Sequence, residues 1–129
     1  MKTLEYIRKE MDKALSEMEA ELQLPLKDRD KKKVNKLLET RASLIDARNL
    51  LETNPTEDFL LRERDKTEAL IATEISKFEA WKTSFEGDEW IGKHRSMKPN
   101  QIEAHYRKEI CDIPKKEKFL NNLNFILNS

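Results

Sequence analysis

Residues that turn a chain are almost absent from this sequence. Gly87 and Gly92 are its two glycines, and Pro25, Pro55, Pro99 and Pro114 its four prolines, among 129 residues. A sheet of many short strands needs turn chemistry roughly every 8–12 residues, and this chain lacks it. Each proline stands where an apolar helical pattern starts or stops, which suits a residue tolerated in a helix's first turn and disruptive in its interior. Ala, Glu, Lys, Leu and Arg supply 66 of the 129 residues, the composition of long helices and coiled coils. Charged residues reach 39% against 37% hydrophobic ones, so a large compact core is not expected. The fold class read from these features is all-α. A long antiparallel helical hairpin or three-helix bundle with coiled-coil character is expected over residues 1–86, a hinge over 87–98, and a small C-terminal two-helix unit over 99–129.

The apolar spacing supports this. Leu4, Ile7, Met11, Leu15, Met18 and Leu22 step by three and four, a helical stripe. Leu4 to Leu15, Ile7 to Met18 and Met11 to Leu22 suggest an 11-residue period. Glu5, Lys9, Asp12, Glu17, Glu19 and Glu21 fall on the face expected to be solvated. A second helix, from about Asp28 to Thr53, carries Val34, Leu37, Leu38, Leu44, Ile45 and Leu51. The short link between these helices makes them antiparallel neighbours. A third is expected to run from Pro55 to about Phe85 or Glu86, with Asn54 as its N-cap. Its stretch Arg62–Glu68 has no apolar member and reads as a projecting tip. Both glycines lie in the proposed hinge, beside Trp81, Phe85 and Trp90. Asn100 and Glu103 suit the start of the next helix, and a last helix carries Phe119, Leu120, Leu123, Ile126 and Leu127.

Net charge is zero, from 25 basic and 25 acidic residues. Residues 1–92 hold 17 basic and 21 acidic side chains, and residues 93–129 hold 8 and 4. The basic-patch candidates are Lys27, Arg29, Lys31, Lys32, Lys33 and Lys36, then Arg107, Lys108, Lys115, Lys116 and Lys118. The hinge candidates for partner contact are Trp90, Lys93, His94, Arg95 and Lys98.

Enzymatic chemistry finds little footing. Zinc sites need closely paired His and Cys ligands, and His94, His105 and Cys111 have no such spacing. Cys111, the one cysteine, reads as a small apolar filler. Cys111 and His105 do not face each other as nucleophile and base would. Gly87-x4-Gly92-Lys93 matches part of a phosphate-binding loop, but His94 stands where Ser or Thr is required and no strand precedes it. Glu86, Asp88 and Glu89 read as solvated charges rather than cation ligands. The last two helices resemble a DNA-binding helix-turn-helix only weakly. No catalytic residue, metal or cofactor is expected. No segment approaches the ~20 apolar residues that cross a bilayer, and the charged N-terminus shows no apolar signal region, so a cytoplasmic location is expected.

The function expected is a non-enzymatic protein-binding module. It would be a small regulator or adaptor docking on a larger machine, such as an RNA polymerase or a replication or repair complex. The alternatives are nucleic-acid binding through the basic clusters and a homo-oligomeric coiled-coil scaffold.

Overall fold

The structure, a computed structural model, describes residues 1–128 and is all-α. Its helices are α1 (Leu4–Leu22), α2 (Lys31–Glu52), α3 (Glu57–Ser76), α4 (Phe78–Thr83), α5 (Phe85–Lys93), α6 (Pro99–His105) and α7 (Ile113–Leu127). A 3-10 turn (Leu26–Asp28) precedes α2, and a π-helical turn (Tyr106–Ile110) follows α6. The prolines stand at boundaries: Pro25 before the 3-10 turn, Pro55 before α3, and Pro99 and Pro114 in the first turns of α6 and α7.

The chain forms two compact units. Unit one is Met1–Leu61 with the described residues from Asn122 on, and unit two is Arg62–Asn121. This differs from the expected partition into 1–86, 87–98 and 99–129. The end of α7 belongs with α1 and α2, and the glycine segment lies inside unit two rather than between units. Most of that segment is helical too, as α5.

Unit one is built on α1 against α2. Ile7, Met11, Leu44, Ala47, Leu60, Leu123 and Ile126 form its core, with Ile45, Leu50 and Leu51 packed beside them. Along α1 the buried or half-buried positions are Leu4, Ile7, Glu10, Met11, Ala14, Leu15, Met18 and Glu21. The expected stripe and its 11-residue spacings, Leu4 to Leu15 and Ile7 to Met18, are thus buried or half-buried, with Glu10, Ala14 and Glu21 beside it. Leu22 alone departs from the expected stripe: it is exposed, and Glu21 is buried in the last turn. On α2 the matching line is Val34, Leu37, Arg41, Leu44, Arg48 and Leu51. Leu38, expected on this line, is exposed; Arg41 and Arg48 take inward positions, where long stems can cover apolar surface. Thr3 caps α1 by accepting from the Tyr6 N–H at 3.1 Å. The Lys2 N–H donates to the Ile126 carbonyl at 2.7 Å, and the Lys2 ammonium donates to the Asn128 carbonyl, occupying acceptors at the end of α7 that the helix leaves free.

The expected long third helix is interrupted twice, at Lys77 and at Ser84. Its start also differs. Asn54 adopts φ 57°, a left-handed conformation that Asn tolerates better than most residues, so it turns the chain instead of capping it. Thr56 does the capping, accepting from the Phe59 N–H at 3.1 Å. At α6, Lys98 holds the N-cap position and its N–H donates to Gln101 Oε1 at 2.9 Å, in place of the expected Asn100 and Glu103 pair.

Leu60 is fully buried in the core of unit one, whereas Leu38 is exposed. Leu60→Ala is expected to cost about 2–5 kcal/mol in urea unfolding, and Leu38→Ala under about 0.5 kcal/mol. Equal losses would contradict the placement of the α2 seam.

Candidate partner-binding site

The first basic cluster falls at the tip of the α1–α2 hairpin, and the structure sorts its members. Two are engaged within the tip. Arg29 donates from Nε to the Leu24 carbonyl at 2.8 Å and from Nη2 to the Leu22 carbonyl at 2.6 Å, occupying acceptors past the end of α1. Lys33 lies 3.5 Å from Glu21. Glu21 also accepts the Asp30 N–H at 2.7 Å, and Asp30 in turn caps α2 through the Lys33 N–H at 3.1 Å. Lys27, Lys31, Lys32 and Lys36 are exposed and form no ion pair among the described residues.

Apolar surface stands beside these lysines. Leu22 is 45% exposed, Leu24 40% and Leu26 76%. A groove of about 230 Å³ is lined by Leu22, Leu26, Arg29, Lys31, Val34 and Asn35. Sequence reasoning found the lysines here and missed the leucines. The available signal was the run Leu22, Leu24, Leu26 at alternate positions, which no helix can bury on one face.

The hinge candidates lie in unit two, in and around an aromatic cluster. Trp90 is half-buried and stacked between two imidazoles: His94 at 4.0 Å and 16°, His105 at 3.8 Å and 11° between ring planes. Both faces of its indole are covered, which leaves none for a partner. His94 Nδ1 is 2.7 Å from the Trp90 carbonyl, an oxygen that only accepts, so Nδ1 carries the proton. Trp81 joins the cluster 6.1 Å from Trp90 and 5.3 Å from Tyr106. Phe85 lies outside it, 83% exposed. Lys93 pairs with Glu89 at 3.0 Å, and Arg95 and Lys98 are exposed.

A serine corner sets this geometry. The Ser84 hydroxyl donates to the Trp81 carbonyl at 2.6 Å and accepts the Gly87 N–H at 3.1 Å. It thereby ends α4 and caps α5. A Cβ on Gly87 would lie 1.8 Å from the Trp81 carbonyl oxygen, so α5 approaches α4 there only because residue 87 has no side chain. Gly92 has nothing within 4 Å of that position.

Below the cluster, Tyr106, Cys111 and Ile113 are buried against Ile71, Ile75, Phe78 and Trp81. Cys111 is thus a buried filler, and burial pushes its thiol pKa up. The Tyr106 hydroxyl donates to the Glu74 carbonyl at 2.6 Å. Burial, then the adjoining Cys111, then Glu74, push its pKa up to about 12.

The second basic cluster is dispersed. Arg107 pairs with Glu103 at 2.7 Å, the Lys116 ammonium donates to the Cys111 carbonyl, and Lys108, Lys115 and Lys118 are exposed. Lys115 and Lys116 line a groove of about 480 Å³ with Lys66, Leu70 and Phe119, but Glu63 and Asp112 share that lining.

No group of three or more His, Cys, Asp or Glu side chains that could hold a metal occurs among the described residues. None of the helices is long and apolar enough to cross a membrane. Comparison with known protein families, curated proteins and solved structures finds no match to this chain.

Replacing Gly by Ala in a helix ordinarily stabilises by roughly 0.4–1 kcal/mol, and Gly92→Ala is expected to do so. Gly87→Ala should instead lose about 1–3 kcal/mol through overpacking and shift tryptophan emission as Trp81 moves. A stabilising Gly87→Ala would show that the corner is looser than described. The Tyr106 phenol holds its proton more tightly folded than unfolded, where it ionises near ~10. The stability it contributes is complete below about pH 10 and is lost as pH rises through about 12. Urea midpoints across this window should fall less steeply for Tyr106→Phe than for the native chain. The same variant should lose about 0.5–1.5 kcal/mol at neutral pH with the hydrogen bond. Parallel slopes would contradict the burial assigned to this hydroxyl.

Proposed function

We propose that this protein is a non-enzymatic protein-binding module, a small adaptor or regulator that docks on a larger macromolecular assembly. The observation that carries the reading is the hairpin tip of unit one. Three leucines are solvent-exposed within five residues of sequence, beside four lysines that form no ion pair among the described residues. Single exposed leucines need no explanation. A cluster rimmed by polar groups marks an interaction surface.

Nucleic-acid binding is the second reading, and the same lysines favour it. Phosphate contacts alone give no role to Leu24 and Leu26, so the protein-binding reading accounts for more of the tip. The readings also differ in salt dependence, which is steep where phosphates are neutralised.

The test is affinity capture from native lysate with the full chain, followed by mass spectrometry. A stoichiometric partner is expected, and Leu24→Asp/Leu26→Asp should abolish its capture. Both side chains are exposed, so the variant should keep its unfolding midpoint within about 0.5 kcal/mol. Charge reversal at Lys93, Arg95 and Lys98 should leave capture intact. If the leucine variant captures the same proteins in the same yield, the tip is not the site. Recovery of nucleic acid alone would favour the second reading.

A further inference from the structure

The tip groove supports a statement about what it accepts, resting on the protein-binding role proposed above. Its volume of about 230 Å³ lies below the ~300 Å³ at which pockets for drug-sized ligands begin. A single large side chain suits it better than a small molecule. Leu22, Leu26 and Val34 supply the apolar part of the lining, and Lys31 and Asn35 the polar part.

The groove's own lining carries Arg29 and Lys31 and no carboxylate, although Glu19 and Glu21 stand beside Leu22 on α1. Residues 27–36 hold six basic and two acidic side chains, a net of +4. Of the two carboxylates, that of Asp30 is engaged in capping α2; Asp28 lies on the 3-10 turn. Lys33 and Arg29 are engaged within the tip, so the exposed lysines are the groups available to a partner. We infer that the groove seats one large apolar side chain of an acidic peptide segment, whose flanking carboxylates meet Lys31 and the neighbouring exposed lysines. An anchor in a pocket with a charged rim is the usual division of labour at an interface: the anchor supplies affinity and the charges supply encounter rate and selectivity. An anionic membrane would also meet lysines and leucines. A bilayer takes up protruding side chains, however, and has no use for a concave site of this size.

The experiment is a fluorescence-anisotropy titration of the full chain into short labelled acidic peptides. One carries a central Phe, a second has Ala in its place, and a third keeps the Phe but replaces the carboxylates by Lys. The Phe peptide should bind, the Ala peptide at least roughly tenfold more weakly, and the Lys peptide undetectably. Binding of the Phe peptide should weaken with added salt. Leu26→Asp should remove the difference between Phe and Ala, and Lys31→Glu/Lys32→Glu should lower affinity for both acidic peptides. Equal binding of the Phe and Ala peptides, or a Leu26→Asp chain that still separates them, would overturn the inference. So would Leu26-dependent association with phosphatidylserine-rich vesicles in the absence of peptide binding. If no peptide binds while lysate capture still depends on Leu24 and Leu26, this inference falls and the protein-binding reading stands. If capture is also unaffected by the leucines, both fall.

Discussion

The tip of unit one depends on one buried carboxylate. Glu21 is 8% exposed and takes an inward position on the α1 seam that an apolar residue would ordinarily fill. It accepts the Asp30 N–H and attracts the Lys33 ammonium, so the end of α1 is held against the start of α2. A buried carboxylate stripped of its partners is far costlier than one that keeps them, which ties the loop to this arrangement. Glu21 faces inward while the adjoining Leu22 is exposed. Arg29 then crosses the end of α1 to the Leu22 and Leu24 carbonyls, fixing the backbone that displays Leu24 and Leu26. The exposed leucines are thus the other side of a satisfied polar network.

Much of the fold was legible in the sequence because it rests on local rules. Proline positions and three–four apolar steps located the helices and paired α1 with α2. Seam details were not legible. Leu22 and Leu38 fit helical stripes as well as the residues that are buried, and only packing against the partner helix distinguishes them. The breaks at Lys77 and Ser84 were hidden for another reason. Glycine signals a turn by default, which points to Gly87 and Gly92. The turn lies at Ser84, whose hydroxyl ends one helix and starts the next, while Gly87 allows close packing within a helix. Asn54 was read as a cap because Asn serves both as N-cap and in left-handed turns, and the neighbouring Thr56 could fill only the first role.

The candidate site divided in the same way. Lysine clusters can be read from sequence, but which lysines remain available cannot, because ion pairs and caps form across the loop. Trp90 illustrates the converse. A tryptophan beside cations is a reasonable interface anchor, yet His94 and His105 cover both its faces. His105 lies 15 residues from Trp90 in sequence and on another helix, a distance no local pattern reports.

Charge changes meaning once the units are known. The sequence splits into a −4 segment over residues 1–92 and a +4 segment over 93–129, but that boundary is not one the fold uses. Unit one holds 12 basic and 13 acidic residues and unit two 13 and 12, a net of −1 and +1. The large asymmetry lies inside unit one, where residues 27–36 carry +4 and the remainder −5. Helix α1 has 19 residues, or about 28 Å, roughly three Debye lengths at physiological salt. The carboxylates nearest the tip, Glu17, Glu19 and Glu21, lie in the last turns of α1, within about a Debye length of it at physiological salt. On the reading proposed above, an acidic segment would meet attraction from the exposed lysines and repulsion from the carboxylates at the end of α1, and steering of that kind acts on encounter rate and orientation. On the same reading the leucines would act on a partner already placed there, so charge and apolar surface would make successive contributions at one location.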